Sequence, residues 1–220
     1  MAGIQKGLVV VFGGSGFVGR HIVRRLAKDG FKLRVVMRRP NEALFLKTAG
    51  RTGQIELVQG NIRDETSSRA ALQGASAAIN AVGILYETGP QKFDAVQSAG
   101  AARLATLAAE QGIDRFIQIS AIGADAGSAS AYACSKAEGE VAILAACPQA
   151  HVLRPSIVVG PEDDFFNRFA RMAQIAPALP LVGGGLTRYQ PVGVFDVAQA
   201  VAACLDGAPS GIYELGGPQI

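Results

Sequence analysis

The sequence has little of what metal sites and disulfide frameworks are built from. Its 220 residues include three cysteines, two histidines and no tryptophan. The three cysteines, Cys134, Cys147 and Cys204, form an odd set without metal-ligand spacing, so we expect reduced thiols in a cytoplasmic compartment. Because His21 and His151 are far apart in the sequence, we predict no metal site.

Long apolar runs and a large net charge are also missing. The first apolar run, 8–12, leads directly into glycines, and no run is long enough to span a bilayer, so we predict neither a signal peptide nor a transmembrane segment. The net charge of +3 is too small to indicate nucleic-acid binding. Eleven of the 21 lysines and arginines nevertheless precede residue 52, against only Asp29 and Glu42. This first third is either a solvated face with one anion site or a surface for phosphate, an anionic membrane or an acidic partner.

The sequence does contain a glycine-rich turn between an apolar strand and an amphipathic helix. Gly13 allows a tight turn, Gly16 allows the backbone to approach a pyrophosphate, and Gly19 lets the helix lie close to the sheet. The phosphates would meet unpaired N–H groups at the helix N-terminus. This spacing predicts a dinucleotide site. The turn residues that we assign to it are Gly13, Ser15, Gly16, Phe17, Val18 and Gly19.

Strand-like and helix-like stretches alternate along most of the chain. The alternation predicts an α/β fold with a doubly wound parallel sheet, the NAD(P)-binding Rossmann fold. We assign residues 1–160 to the dinucleotide-binding domain. Beyond them Pro177, Pro180 and the glycines at 183–185 interrupt the pattern, so residues 161–220 are predicted to form a small substrate-side lobe interleaved with the last strands.

The end of the second predicted strand, 31–37, carries arginines instead of an acid. A carboxylate at this place binds the ribose 2′-hydroxyl of NAD, whereas an arginine accommodates the 2′-phosphate of NADP. Arg38, with Arg39 beside it, therefore favours NADP(H) and leaves NAD(H) possible. The alternative that both arginines are merely solvated stays open.

Tyr132 and Lys136 lie four residues apart in a predicted helix that runs to about residue 146. This spacing places both side chains on one helix face. A nearby ammonium would lower the pKa of the tyrosine, which could then exchange a proton with a carbonyl or an alcohol, and the lysine can also hold ribose hydroxyls. The pair therefore predicts an acid/base site.

These motifs resemble the short-chain dehydrogenase/reductase superfamily, in its extended and atypical, NAD-dependent epimerase/dehydratase-like branch. The matching pieces are the GxxGxxG spacing of 13–19, Asn61 with Asp64, 80–83, Tyr132 with Lys136, 153–155 and 190–197. The resemblance implies a catalytic set, which is Tyr132, Lys136 and Ser120. It also implies further cofactor contacts, which are Asn61, Ile62, Ala81, Val82, Gly83, Lys136 and Pro155.

More narrowly, the stretches 13–20, 80–87 and 115–121 resemble the NADPH-binding accessory subunits of respiratory complex I and their bacterial homologues. This resemblance implies a tightly held NADP(H) in a structural or redox-sensing role. The implied partner is a quinone-side respiratory complex, and the implied location is the cytoplasm or the inner side of a respiratory membrane.

Three departures from the superfamily weaken the catalytic interpretation. Ala121 occupies the usual position of the active-site hydroxyl, so Ser120 would be one place off and facing the wrong side. Gln97 stands where an asparagine often supports the Tyr-Lys pair. The sequence stops shortly after 216–218, where these families usually continue, so we expect part of the substrate lobe to be missing.

Three functions therefore remain open. The first is a binding protein that holds its cofactor structurally, with slight turnover. The second is an active reductase, epimerase or dehydratase that acts on an unknown small-molecule substrate through Tyr132. The third is a redox-sensing regulator that changes partners with the state of its cofactor.

Overall fold

Nine β-strands and six α-helices are found in the computed structural model, which describes residues 6–175, 184 and 186–218. The strands are β1 (Lys6–Phe12), β2 (Phe31–Met37), β3 (Ile55–Gln59), β4 (Ala77–Asn80), β5 (Arg115–Ile119), β6 (His151–Pro155), β7 (Val158–Val159), β8 (Val192–Gly193) and β9 (Gly211–Leu215). The helices are α1 (Phe17–Lys28), α2 (Glu65–Leu72), α3 (Ala99–Glu110), α4 (Ala131–Ala146), α5 (Phe166–Ile175) and α6 (Val194–Leu205).

Seven of the strands form one parallel sheet in the order β3-β2-β1-β4-β5-β6-β9, and β7 pairs with β8 separately. The alternating side chains of β1 show why both faces are covered. Val9 and Val11 are buried with α1 and α6, whereas Val10 and Phe12 are buried with α2, α3 and α4. This arrangement confirms the predicted doubly wound parallel sheet.

The strand order reverses between β1 and β4, which pair with each other although β2 and β3 intervene in the sequence. In open α/β sheets the crevice at such a switch point, outside the carboxyl ends of the strands, is where ligands bind. The glycine turn leaves β1 at this edge, and the segments that follow β2, β3 and β4 leave it there too.

The stretch 91–112 is rich in alanine and glycine and carries Phe93, Val96, Leu104 and Leu107, which predicts one long helix. The structure divides this helix: Gln91 belongs to a turn closed on Thr88, residues Asp94–Ser98 form a π-helical turn, and α3 begins at Ala99. The backbone N–H and carbonyl of Gln91 both form hydrogen bonds with Thr88. They are therefore not available for the hydrogen bonds of a helix.

The C-terminal part of the chain completes the main sheet, because β9 pairs with β6. Helix α5 has no buried residue. The loops predicted around Pro177, Pro180 and most of 183–185 lie outside the described residues, so the separate substrate-side lobe over 161–220 stays a prediction.

Among the helices of the described ranges, none combines the length and the apolar character needed to cross a membrane.

Candidate functional site

The turn between β1 and α1 has the shape of a phosphate cradle. Gly13 has φ +78°, and a Cβ there would come within 2.9 Å of the backbone of Ala81 and Val82. A Cβ on Gly19 would overlap the Gly13 carbonyl, whereas one on Gly16 would meet only that carbonyl oxygen, at 3.3 Å. No side chain caps α1 and its first turn holds no acid. The first N–H groups of α1 therefore lie beside an open surface, which fits a pyrophosphate.

Two open pockets meet at Arg38, the residue that follows β2. The first, of about 340 Å³, is lined by Ser15, Arg20, Met37, Arg38, Arg39, Glu42 and Phe45. The second, of about 450 Å³, is lined by Arg38, Gln59, Gly60, Asn61, Asp64 and Ser67. These pockets lie where the switch-point geometry places the adenosine half of a dinucleotide. Arg38 lines both pockets and Asn61 lines the second, and their contact with a dinucleotide stays a prediction.

The second pocket is bounded by the N-terminus of α2. Asp64 directly precedes this helix, the position that favours an aspartate as N-cap, and it caps the helix by accepting from the N–H groups of Thr66 at 3.1 Å and Ser67 at 3.3 Å. Hydrogen bonds, first of all from Ser67, hold the pKa of Asp64 below its usual range. Ile62 is buried, and its carbonyl accepts from Arg103 at 3.1 Å, so the structure does not bring its side chain into the pocket.

The arginines at the first pocket have different partners. Arg39 pairs with Glu42 at 3.0 Å. Arg20 donates to the carbonyls of Ser15 at 3.0 Å and Gly16 at 3.2 Å, and its guanidinium lies over the ring of Phe45. Sequence reasoning did not assign Arg20 to the site, although its place directly after Gly19 on the first turn of α1 is a usable signal.

A buried histidine ties α1 to the segment after β7. His21 Nε2 lies 2.8 Å from Glu162 Oε2, and Arg20 and Arg24 lie 3.6 and 3.4 Å from Glu162 Oε1. The hydrogen bond with His21, helped by both arginines, keeps the pKa of Glu162 below its usual range. Phe17 packs edge-to-face on His21 and lies next to Gly160, so it faces this segment. Sequence reasoning missed Glu162 because its partners are about 140 residues away.

Tyr132 and Lys136 lie on one face of α4, as their spacing predicts. Lys136 Nζ is 5.8 Å from the centre of the Tyr132 ring and donates to the Ile119 carbonyl at 3.4 Å. Burial lowers the pKa of Lys136 to about 8, opposed by Glu140. Burial also raises the pKa of Tyr132, so the prediction that Lys136 lowers it is wrong for this structure.

Ser120 does not join Tyr132 and Lys136 in the predicted catalytic set. Its side chain is buried and its hydroxyl donates to Glu140. Glu140 is itself 3% exposed and accepts from Arg154, with the shortest contact at 2.6 Å. The hydroxyl therefore belongs to a buried ion-pair cluster, which agrees with the expectation that Ser120 faces the wrong side.

Buried side-chain amides fix the backbone turn that follows β4. Asn80 donates to Gln118 at 2.8 Å and accepts from the Val82 N–H at 3.1 Å, which fixes the turn of Ala81, Val82 and Gly83. Within the described residues the buried Gln97 Oε1 atom has no hydrogen-bond partner, and a Cβ on Gly83 would lie 3.8 Å from it and 3.4 Å from Lys136 Nζ. An unpaired buried acceptor in a folded protein calls for an explanation.

Pro155 lies at the carboxyl end of β6 and takes part in this region through its backbone carbonyl. It is buried at the end of β6, and its carbonyl accepts from Ile122 at 3.0 Å. Within residues 6–175, 184 and 186–218 no three histidine, cysteine, aspartate or glutamate side chains come together as metal ligands would.

Comparisons with known proteins place the chain among dinucleotide-dependent proteins. The model of the NAD dependent epimerase/dehydratase family matches residues 9–216. The mitochondrial NADH dehydrogenase [ubiquinone] 1 alpha subcomplex subunit 9 of Arabidopsis thaliana is 40% identical over 218 residues, which are 97% of this chain and 54% of that protein. The ceramide reductase of Caulobacter vibrioides is 33% identical over 98% of this chain and 66% of its own length.

Solved structures show the same fold. MoeE5, in complex with UDP-glucose and NAD, superposes with a TM-score of 0.80 at 20% identity, over 96% of this chain and 76% of its own. Vestitone reductase from alfalfa gives 0.76 at 22% identity, over 96% and 77%. The chain spans about half the length of the complex I subunit of Arabidopsis. The match to the family model extends over nearly all residues that the structure of this chain describes. The chain therefore belongs to the NAD-dependent epimerase/dehydratase family.

Proposed function

We propose that the protein binds NADP(H) along the carboxyl edge of its sheet and holds it in a structural or redox-sensing role. Arg38 carries the NADP(H) part of the proposal. It lines both adenosine-side pockets, and within the described part of the chain it forms no ion pair with a carboxylate. Its charge is therefore available to a 2′-phosphate, which a guanidinium binds through two parallel hydrogen bonds.

Other contacts complete the cofactor site in this proposal. The N-terminus of α1 takes the pyrophosphate over Gly16. Lys136 donates to the ribose hydroxyls on the nicotinamide side, next to Gly83 and the unpaired oxygen of Gln97. Bound NADP(H) would supply hydride-transfer chemistry there.

Slight turnover is supported by the state of the proton-transfer residues. Ser120 is engaged with Glu140 and Lys136 is assigned to the ribose, so a substrate carbonyl would have only Tyr132 of the three predicted residues as a side-chain donor. Loss of one such donor is worth roughly a hundredfold in rate at oxyanion-type sites. A respiratory complex as partner and a peripheral position on its membrane are supported by the 40% identity to a complex I subunit.

Replacing Arg38 with alanine tests the proposal. We expect the affinity for NADPH to fall roughly 10- to 100-fold, because a charge-assisted bidentate contact is lost, while the affinity for NADH changes by less than about threefold. Isothermal titration calorimetry of the protein freed of bound nucleotide measures the affinities for NADPH and for NADH. Arg51→Ala, which removes an exposed arginine from the same basic third, serves as the charge-matched control. Equal losses for both dinucleotides would overturn the assignment of Arg38.

The pH dependence of binding tests the role of Lys136. Because burial places its pKa near 8, its ammonium is present below that pH and is lost as the pH rises through 8. We expect dinucleotide affinity to fall up to about tenfold between pH 7 and pH 9, and the Lys136→Met variant to bind more weakly with a flat profile over this range. A wild-type profile parallel to that of the variant would contradict this role.

An active reductase is the second candidate, and it is favoured by the position of Lys136 Nζ 5.8 Å from the centre of the Tyr132 ring together with the similarity to a ceramide reductase. With its pKa raised, Tyr132 is a protonated phenol that can donate to a carbonyl oxygen. This candidate requires a wild-type reductase activity that Tyr132→Phe removes without weakening NADPH binding. The structural role instead requires negligible activity in both proteins.

A further inference from the structure

The segment after β4 doubles back over the adenosine side of the site. In residues 87–92, which we call the strap, Thr88 and Gln91 exchange two backbone hydrogen bonds, of 3.1 and 2.9 Å. Glu87 pairs with Lys92 at 3.1 Å and accepts from the Phe93 N–H at 2.9 Å. These bonds make the strap a closed turn.

Two arginines connect the strap to the adenosine side. Arg63, between β3 and α2, donates to the Pro90 carbonyl at 3.0 Å. The side-chain amide of Gln91 faces the guanidinium of Arg38. With the amide oriented so that its oxygen points toward these donors, the orientation that satisfies both groups, the oxygen accepts from both terminal nitrogens, with the contact to Nη2 at 3.2 Å. Gln91 is thereby placed where it can orient Arg38.

The partner of Arg38 is neutral, unlike those of the neighbouring arginines. Arg39 faces Glu42, and Arg20 faces Glu162. A carboxamide can orient a guanidinium without cancelling its charge. Since a guanidinium has five N–H donors, Gln91 leaves donors of Arg38 available to a phosphate.

We infer that Gln91 is a positioning residue that determines cofactor specificity: it holds Arg38 for the ribose 2′-phosphate and, being uncharged, leaves the positive charge to that phosphate. This inference rests on the proposed binding of NADP(H). It gives the strap a function, which is to preorganise the 2′-phosphate site from the opposite side of the crevice.

Gln91→Glu and Gln91→Ala test the inference with 2′,5′-ADP and 5′-AMP, which probe only the adenosine end. The glutamate would pair with Arg38 and repel the 2′-phosphate, so we expect the ratio of the affinities for 2′,5′-ADP and 5′-AMP to fall about tenfold or more. The alanine removes only the positioning, for which we expect about threefold. Gln149→Glu is the matched control, because Gln149 is exposed and precedes the amino end of β6, away from the carboxyl ends of the strands where the candidate site lies. Melting temperatures of the free variants check the fold.

The outcomes separate this inference from the proposed function. If Arg38→Ala lowers the affinity ratio but both Gln91 variants keep it within about twofold of wild type, the inference is wrong and the NADP(H) site stands. If the wild type does not prefer 2′,5′-ADP, the NADP(H) proposal is wrong and the inference falls with it. A reduced ratio in both Gln91 variants, with the Gln149 variant unchanged, supports both.

Discussion

Leucine in place of Gly16 is expected to abolish dinucleotide binding while the protein stays folded. Gly16 is the N-cap of α1 with φ −70° and ψ 175°, an extended conformation that any residue adopts. A Cβ there would meet only the Gly13 carbonyl oxygen, so the remaining atoms of the leucine would occupy the space where the pyrophosphate must lie. We expect a loss of more than about a hundredfold in affinity for both NADPH and NADH, because the contacts of the helix N-terminus are blocked.

The neighbouring glycine gives the matched control with the opposite expectation. A Cβ on Gly19 would overlap the Gly13 carbonyl and lie 2.7 Å from Gly14 Cα. Gly19→Ala is therefore expected to lower the free energy of unfolding, by about 2 kcal/mol or more, because α1 must move away from the turn. Denaturant unfolding and titration of both variants separate the two roles. A Gly16→Leu protein that binds normally would show that the cofactor does not cross this turn.

Methionine in place of Arg154 is expected to cause the largest loss of stability. The guanidinium makes three contacts of 2.6 to 3.2 Å with Glu140, whose side chain is almost fully buried between α4 and β6. Its removal would leave Glu140 with the Ser120 hydroxyl and the more distant Lys136 ammonium. A buried carboxylate that loses its ion-pair partner typically destabilises a protein by about 3 kcal/mol or more.

A second substitution distinguishes an uncompensated charge from lost packing. Glu140→Gln in the Arg154→Met background removes the unpaired buried charge and keeps an acceptor for the Ser120 hydroxyl. We therefore expect this double variant to recover most of the lost free energy of unfolding, measured with urea. Arg69→Met is the surface comparison, because the partners of Arg69, Glu65 and Glu110, are exposed. Its effect should be much smaller. A double variant no more stable than Arg154→Met would contradict the charge argument.

Local sequence signals predicted the framework of this fold. The β-branched runs of β1 and β2 and the glycine turns at Gly13 after β1 and at Gly30 after α1 are short-range features. β2 occurs where the sequence predicts it. The cap at Asp64 and the helical spacing of Tyr132 and Lys136 are equally local. The position of Arg38 follows from its place at the end of a parallel strand.

The parts that sequence reasoning missed depend on contacts between distant segments. Glu162 joins the site only because the segment after β7 returns to α1. The raised pKa of Tyr132 reflects burial that helical spacing does not reveal. The apolar pattern of 91–112 predicts that Gln91 begins a helix, but the turn with Thr88 and the contact with Arg38 give it a different position.

The most direct test of the central claim is to identify the nucleotide that the protein retains. The protein is purified without added cofactor and denatured, and the released nucleotides are quantified by mass spectrometry, with the Gly16→Leu variant prepared in parallel. We expect NADP(H) in the wild type at close to one equivalent and none in the variant. A wild-type protein that releases no dinucleotide, and that binds NADPH and NADH equally weakly when titrated, would contradict it.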